Sequence, residues 1–370
     1  MAYANYGVNA KISIQAASPI RMQSNTPVAF IGTSDTLDIG MHFFMNPDLA
    51  LQKCGEGSLK KSLVEFSEQN VKAPIILSVY EDDEINSISN ARAAITLLKK
   101  AKAKFTYRPN LIVAREISGE DAIKTELESV ATALKATAII DLAQKSSIEA
   151  ITKMKEFGSK RLLAAYPFVK TWSNELSDYE FTPQSARLAG MIAHTDAEWE
   201  HGYADSYSNR VMLGISGTEG DVDFEMGESC TAEELRSAKI STIICENGYR
   251  TWGGETSDPE TIWQDLTRVR VFDRISEACQ KGVFTAIDKR ADVLKYAKMS
   301  VEELLRALQG AFVLLGFEVS WNNELNTKAN ITAGKFYLDI RMQNNPIVKQ
   351  LTLDFIYVDT YSEELMKRIA

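Results

Sequence analysis

The chain has 370 residues, enough for roughly two or three domains of ordinary size and for a large buried core. Apolar residues make up 45% and charged residues 25%, which is typical of globular proteins and excludes collagen, coiled coil and wholesale disorder. The formal net charge of −9 argues against a nucleic-acid partner, because phosphate contacts favour a basic surface.

Cysteine and histidine usage bounds the chemistry further. The four cysteines are far apart with no C-x-x-C pair, and there are three histidines, so we expect neither a zinc ribbon nor a disulfide-stapled domain. We therefore expect no metal and no cofactor. The first residues lack a basic region followed by an apolar one, and no apolar run approaches ~20 residues, so we expect no signal peptide and no membrane insertion. The expected compartment is a reducing cytoplasm, or a particle assembled there.

The N-terminal segment alternates. Val8, Ala10, Ile12 and Ile14 are apolar and the residues between them are polar, a period of two that predicts a half-buried strand. A passage punctuated by two prolines leads to a second apolar run at residues 28–32.

Residues 73–200 have a different pattern, in which buried strands alternate with helices. Strands are predicted at 75–80, 111–114, 138–142 and 162–166. Ser118 is the expected N-cap of a helix whose apolar stripe runs from Ile123 to Leu134, and further helices are expected near 147–157 and 185–197. This alternation predicts an α/β fold with a doubly covered, mainly parallel sheet.

After residue 205 the pattern is mixed, which makes the fold α+β overall. A short helix is expected at 231–239 and a strand at 240–245, followed by a helix that begins with Asp258 as N-cap. Ser300 and Glu303 form an expected capping box ahead of a regular apolar face. Period-two alternation returns near the C-terminus, first over 336–342 and then at Leu351, Leu353, Phe355 and Tyr357.

The candidate chemical motifs are weak. The glycines at 214, 217 and 220 lack the Gly-Lys-Ser/Thr ending of a phosphate-binding loop, and no G-x-S-x-G elbow accompanies His194, so we assign no catalytic residue. Arg268, Arg270 and Arg274 form either a solvated helix face or a basic strip that faces an acidic partner.

The terminal strands allow two interpretations. In the first, both terminal strands pair with the sheet of their own chain. In the second, they are donated to the sheet edge of a neighbouring molecule, where main-chain hydrogen bonds supply affinity and alternate side chains supply specificity.

Several segments, in an order and spacing that fit from end to end, resemble the contractile tail sheath proteins of bacteriophages and related contractile injection systems. That group includes R-type bacteriocins, and the short length resembles the compact sheaths of P2-like phages. The segments are Tyr6-Gly7-Val8, Ala29-Phe30-Ile31-Gly32, Gly248-Tyr249-Arg250-Thr251-Trp252-Gly253, Arg268 to Arg274, and Ala333-Gly334-Lys335-Phe336-Tyr337-Leu338-Asp339. The glycine-rich stretch with Gly248, Arg250, Trp252 and Gly253 is the most specific of them.

The resemblance implies a structural subunit, not an enzyme, of a sheath that polymerises helically around an inner tube and contracts to drive the tube through a cell envelope. The implied partners are identical subunits, the inner tail tube protein, and baseplate and tail terminator proteins. The implied location is the virion tail or an injection-particle sheath, assembled in the bacterial host cytoplasm. The alternative from the residues 73–200 alone is a cytoplasmic α/β enzyme or a ligand-binding protein.

The resemblance also suggests a division of the chain. We expect an N-terminal arm at 1–26, an α/β core at 27–204, a tube-facing C-terminal domain at 205–345 and a C-terminal arm at 346–370, with flexible linkers at 15–26 and 343–350. The expected tube contacts are Arg268, Arg270 or Arg274. The expected contacts between subunits are Tyr6, Val8, Ile12 and Ile14 in the first arm and Leu351, Leu353, Phe355 and Tyr357 in the second.

Overall fold

A computed structural model describes residues 20, 22, 25–83, 85–220, 222–359 and 361–369. The predicted N-terminal strand, with Tyr6, Val8, Ile12 and Ile14, lies outside the described residues. Within these ranges, none of the helices has the length and apolar character that crossing a membrane requires.

The described chain alternates strands and helices over most of its length. The strands are β1 (Val28–Gly32), β2 (Gly40–Phe44), β3 (Ile75–Val79), β4 (Leu111–Val113), β5 (Thr137–Asp141), β6 (Leu162–Ala165), β7 (Val169–Ser173), β8 (Asp178–Thr182), β9 (Gly217–Thr218), β10 (Ile240–Cys245), β11 (Tyr249–Trp252), β12 (Leu314–Trp321) and β13 (Leu338–Asn344). The helices are α1 (Pro47–Leu51), α2 (Ser58–Ser67), α3 (Ser87–Leu97), α4 (Ala101–Phe105), α5 (Asp121–Leu134), α6 (Ser147–Met154), α7 (Ser185–Ala197), α8 (Thr231–Ser237), α9 (Leu266–Val283), α10 (Leu294–Gly310), α11 (Lys328–Thr332) and α12 (Ser362–Ile369).

The central feature is a sheet of eight strands in the order β11-β10-β6-β5-β4-β1-β3-β2. Its interior pairs are parallel, whereas β2 and β11 run antiparallel to their neighbours at the two margins. Every residue of β1, β3, β4, β5 and β6 is buried, because α3, α5 and α6 cover one face and α2 and α7 cover the other. The prediction of a doubly covered, mainly parallel sheet is confirmed.

Two predicted helix starts are wrong, each because the expected cap is used elsewhere. Ser118 does not cap α5; its hydroxyl oxygen accepts a hydrogen bond from the backbone N–H of Asp141 at 2.9 Å. Asp258 accepts from the backbone N–H groups of Glu260 and Lys160, and the cap of α9 is Asp265, seven positions later.

A third predicted start is wrong by seven residues. The helix α10 begins at Leu294, so Ser300 lies inside it and the expected capping box is absent. The residues before Ser300 include leucine, lysine, alanine and methionine, which favour helix and allow it to extend upstream. The apolar face is confirmed at Val301, Leu304, Leu305 and Leu308, which are buried, but its predicted last members, Phe312 and Leu315, lie beyond the helix end and are exposed.

The predicted boundary at residue 204 does not divide the structure. The strand β10 pairs in parallel with β6, so residues 240–252 extend the same eight-stranded sheet. A second, smaller core begins later, where α9 and α10 pack against the antiparallel pair β12 and β13. We call the eight-stranded part the body and this second cluster the C-terminal core.

Candidate interaction sites at the two chain ends

The C-terminal segment exposes a row of large apolar side chains. Leu351 is 77% exposed, Leu353 67%, and Phe355 and Tyr357 are each 89% exposed. Residues 346–359 follow β13 without regular secondary structure, so the predicted second strand does not form within the single chain. A contiguous apolar surface of this kind marks a protein interaction site more often than a free surface.

A two-stranded sheet lies in the C-terminal core. The strands β12 and β13 pair antiparallel from Leu314↔Asn344 to Trp321↔Leu338, and Val319 packs into the core beside α10. Within the described residues, no further strand pairs with either outer edge of this ribbon. A ribbon of two strands is marginal on its own, and its free N–H and C=O groups are ready to accept another strand.

The beginning of the C-terminal segment is fixed to α9. Arg268 donates from Nε to Oδ1 of Asn344 at 3.1 Å, and Asn344 is buried. The ammonium of Lys349 lies 2.7 Å from a carboxylate oxygen of Glu255 and 3.7 Å from Oδ2 of Asp265. Residues 343–350 are therefore held at both ends, which corrects the prediction that they form a free linker.

The electrostatics of this contact favour the charged pair. Burial alone would raise the pKa of Glu255, but the Lys349 ammonium, the Arg236 guanidinium and the backbone N–H of Gly254 together outweigh it, and the pKa lies below its ordinary value. The two carboxylate oxygens of Asp265 have different partners. Its Oδ1 accepts from the backbone N–H groups of Thr267 and Arg268 at the start of α9, and its Oδ2 faces Lys349.

The end of the N-terminal segment at residues 25–26, which we call the N-terminal root, is also fixed to α9. Arg274 donates to the carbonyl oxygen of Asn25 at 3.0 Å and to the hydroxyl of Thr26 at 2.6 Å. The Thr26 hydroxyl donates in turn to Oδ2 of Asp196, which also accepts from Arg270. The described part of the predicted 15–26 linker is thus packed and not free: Ile20 and Met22 lie against the C-terminal core, and Asn25 and Thr26 contact Arg274 or Asp196.

This cluster of Thr26, Asp196, Arg270 and Arg274, which we call the N-root cluster, is buried and carries an excess of positive charge. Two guanidinium groups share one carboxylate, and Oδ1 of Asp196 has no hydrogen-bond partner among the residues that the structure describes. Burial lowers the pKa of Arg274, and the charge of Asp196 opposes that shift.

The N-root cluster corrects the predicted basic strip. Arg270 and Arg274 are interior residues that tie α9 to the end of α7, so they do not present charge to a partner in this structure. Arg268 remains partly accessible, although its guanidinium also donates to the carbonyl oxygen of Ile262 at 2.6 Å. The helix pattern missed this because the acid lies 74 residues away in sequence.

The glycine-rich motif forms the margin of the main sheet. Gly248 has a φ of +106° in the turn between β10 and β11. Arg250 donates to the carbonyl oxygens of Glu246 and Asn209 at 2.7 and 2.9 Å, and Trp252 donates from its indole to Glu233 at 2.9 Å.

The glycine at the end of this motif is required by space and conformation. Gly253 has a φ of +117°, and a Cβ there would lie 3.1 Å from the carbonyl oxygen of Ile240. Together with the contacts of Arg250 and Trp252, this gives the motif internal roles that hold β11 in place.

Within the described ranges, no group of three or more His, Cys, Asp or Glu residues could hold a metal ion. A second buried ionic cluster, which the sequence also did not indicate, lies inside the body. Arg115 pairs with Glu65 at 3.0 Å, and Arg187 lies 3.1 Å from Glu65 and 2.9 Å from Glu68. This cluster joins α2 and α7 to the segment that follows β4.

No family model matches the chain. It is 35% identical over 264 residues to a prophage major tail sheath protein of Pseudomonas aeruginosa strain UCBPP-PA14, which covers 70% of this chain and 68% of the relative. It is 23% identical over 346 residues to the tail sheath protein of Escherichia phage P2, which covers 88% and 86% of the two chains.

Solved structures with the same fold include two contractile injection systems. The contracted helical sheath of the anti-feeding prophage is similar with a TM-score of 0.73 at 17% identity, covering 96% of this chain and 99% of that chain. The contracted sheath complex of the extracellular injection system PVC has a TM-score of 0.73 at 16% identity, covering 97% and 99%.

Proposed function

Because this chain belongs to the tail sheath proteins of phages and prophages and is a structural subunit, we propose that it polymerises by donating its terminal segments to neighbouring copies. The observation that carries the proposal is that one chain contains both a strand donor and a strand acceptor, which do not pair with each other. The donor is the exposed row at Leu351, Leu353, Phe355 and Tyr357, and the acceptor is the open-edged ribbon of β12 and β13.

The physics of strand addition suits both parts. An extended segment that joins a sheet edge gains main-chain hydrogen bonds, and its alternate side chains become buried against the acceptor. A donor at one end of the chain and an acceptor elsewhere make a heterologous contact, which generates open helical filaments unless the rotation closes a ring. The N-terminal arm, with Tyr6, Val8, Ile12 and Ile14, is proposed as a second donor.

Contraction follows if the connected bodies can pack in two ways. Strand exchange keeps neighbours joined while each body moves rigidly against the next. A free-energy gain of about 1–3 kcal/mol per subunit, the size of one interface adjustment, becomes large when it is summed over many copies. Such a sheath needs no nucleotide and no catalytic residue, so the chain acts as a structural protein and not as an enzyme.

The partners and location follow from the same proposal. The sheath surrounds an inner tail tube, ends on baseplate and tail terminator proteins, and belongs to a virion tail or an injection particle assembled in the host cytoplasm. We propose that the C-terminal core faces the tube. Of the three arginines, Arg268 stays a candidate contact, through charge pairs worth about 0–1 kcal/mol each.

Deleting residues 351–370 tests the proposal directly. We expect the truncated chain to elute from a sizing column as a folded monomer, whereas the full chain forms long hollow polymers in negative-stain micrographs. A matched pair separates surface loss from truncation. Leu353→Asp with Phe355→Asp should block polymerisation, and Leu353→Ile with Phe355→Tyr should preserve it. A small closed oligomer that is indifferent to all of these changes would instead favour the enzyme or ligand-binding alternative.

The N-terminal donor has its own test. Ile12→Pro removes a backbone donor from a predicted ladder and should block polymerisation without unfolding the body, as should deletion of residues 1–15. Full-length polymers from Ile12→Pro would count against donation of this arm.

A further inference from the structure

Residues 344–349, which we call the C-terminal root, and the N-terminal root at residues 25–26 are attached to the same helix. Arg268 and the cap Asp265, at the start of α9, hold the C-terminal root through Asn344 and Lys349. Arg274, in the middle of α9, holds the N-terminal root. Since each helical residue rises 1.5 Å, positions 268 and 274 are only about 9 Å apart along the axis.

We infer that α9 is a tie between the two arms, so that a pull on one arm passes to the other along this helix. The inference rests on the proposed strand donation, because arms that pair with neighbouring copies are the parts that carry tension. The residues that perform it are positioning residues: Arg274 and Asp196 for one root, and Arg268, Asp265 and Lys349 for the other.

The surroundings of α9 suit a tie. One side is apolar and packs with α10 through residues such as Val271 and Ile275. Polar side chains of α9 connect it to the ends of the body strands and helices. These links are Asp273 with Arg161, Glu277 with Arg108 at 2.5 Å, and Ser276 with Lys135 at 2.7 Å. The helix is therefore held along most of its 18 residues and cannot slide freely when one end is pulled.

The two roots differ in how they are held. The N-root cluster is buried, whereas the Lys349 side chain is 36% exposed beside Glu255. Salt screens exposed charge pairs much more than buried ones. The tie should therefore loosen first at the C-terminal root as ionic strength rises, while the N-terminal root stays fixed.

Hydrogen exchange in the full-length subunit, dispersed before polymerisation, tests the two attachments. Lys349→Met should speed exchange by tenfold or more at Asn345, whose N–H donates to the carbonyl oxygen of Val313, and leave Val28, whose N–H donates to that of Pro74, unchanged. Arg274→Met should do the reverse. The conservative variants Lys349→Arg and Arg274→Lys guard against a folding defect and should retain part of the protection. The control is Arg92→Met on α3, which removes an ion pair with Glu126 of α5 and should change exchange at neither root.

A double-mutant cycle on assembled polymers tests the coupling. Each single variant should still polymerise but raise the critical concentration about tenfold, and the double variant should raise it clearly less than a hundredfold, because a tie broken once is already lost. Effects that multiply fully, or no effect on assembly, would overturn the inference. Loss of polymer-forming ability in the arm deletions is a separate result, so failure of the tie does not imply failure of strand donation.

Discussion

The body and the C-terminal core manage their apolar residues in opposite ways. In the body, strands such as β1 and β5 are buried on both faces, and its ionic cluster around Glu65 is internal. In the C-terminal part, a two-stranded ribbon keeps open edges and the chain then continues with exposed Leu353 and Phe355. The difference supports our proposal that the C-terminal part is completed by other copies, whereas the described strands of the body are buried within one copy.

The two buried ionic clusters differ in the same way. Arg115 and Arg187 meet Glu65 and Glu68 inside the body, so each guanidinium has a carboxylate partner, and the cluster joins α2 and α7 to the segment after β4. At the N-root cluster, two arginines share Asp196 and connect the body, α9 and the chain end. Buried pairs are weak evidence for net stability, but removing one partner is costly.

The largest expected effect is at the N-root cluster. Asp196→Ala leaves Arg270 and Arg274 buried without their carboxylate, and it should lower the free energy of unfolding by about 3–5 kcal/mol. Urea denaturation measures the loss. Limited proteolysis should also show faster cleavage near residues 20–26, which Glu65→Ala, a matched break in the body cluster, should not produce. Equal protection of that segment in both variants would contradict the assignment of Asp196 to the root.

A smaller loss is expected in the C-terminal core. Leu305 is fully buried between α10 and the ribbon, so Leu305→Ala should cost about 2–5 kcal/mol through lost burial and the cavity left behind. Thermal unfolding should show whether this loss falls on the whole chain or on a separate early transition. A single transition shifted as a unit would mean that the C-terminal core and the body unfold together.

The pH dependence of the free energy of unfolding tests a buried carboxyl group of the body. Burial raises the pKa of Asp141 to about 6, although its Oδ1 accepts from the backbone N–H of Ser185 at 2.9 Å. The native state therefore binds this proton more tightly than the unfolded state, and its contribution to stability falls as pH rises from about 4 to 6. Asp141→Asn should raise the free energy of unfolding by about 1–3 kcal/mol at pH 7 and by almost nothing at pH 4. A gain that is the same at both pH values would rule out this titration.

The smallest effect on stability is expected at the exposed row. Leu353→Ala removes little buried area, so the free energy of unfolding of the isolated subunit should change by no more than about 0.5 kcal/mol. Polymer yield in sedimentation should nevertheless fall. A large loss of subunit stability would place this residue in its own fold instead of in that of a neighbour.

The body was predictable from sequence because its signals are local. Short apolar runs such as 138–142 and stripes such as Ile123 to Leu134 report burial directly, and the structure confirms both. The exact helix starts were less predictable, because Ser118 and Asp258 have side chains that suit a cap but bond to other partners.

The root contacts were not predictable from local pattern. Asp196 meets Arg270 and Thr26 across 74 and 170 residues, and charged residues on a helix usually indicate a solvated face. Lys349 likewise has no sequence signal that points to Glu255. The sequence pattern of β10 predicts a strand but not its partner, so its pairing with the free edge of β6 could not be predicted.

The margins of the main sheet bear on the accuracy of assembly. Its outermost strands, β2 and β11, have five and four residues, whereas β12 and β13 have eight and seven. Short margins give a stray strand few main-chain groups to pair with, so mistaken docking there is brief. If strands are donated as we propose, the eight-residue and seven-residue strands of the ribbon offer a donated segment a longer edge than either margin of the main sheet.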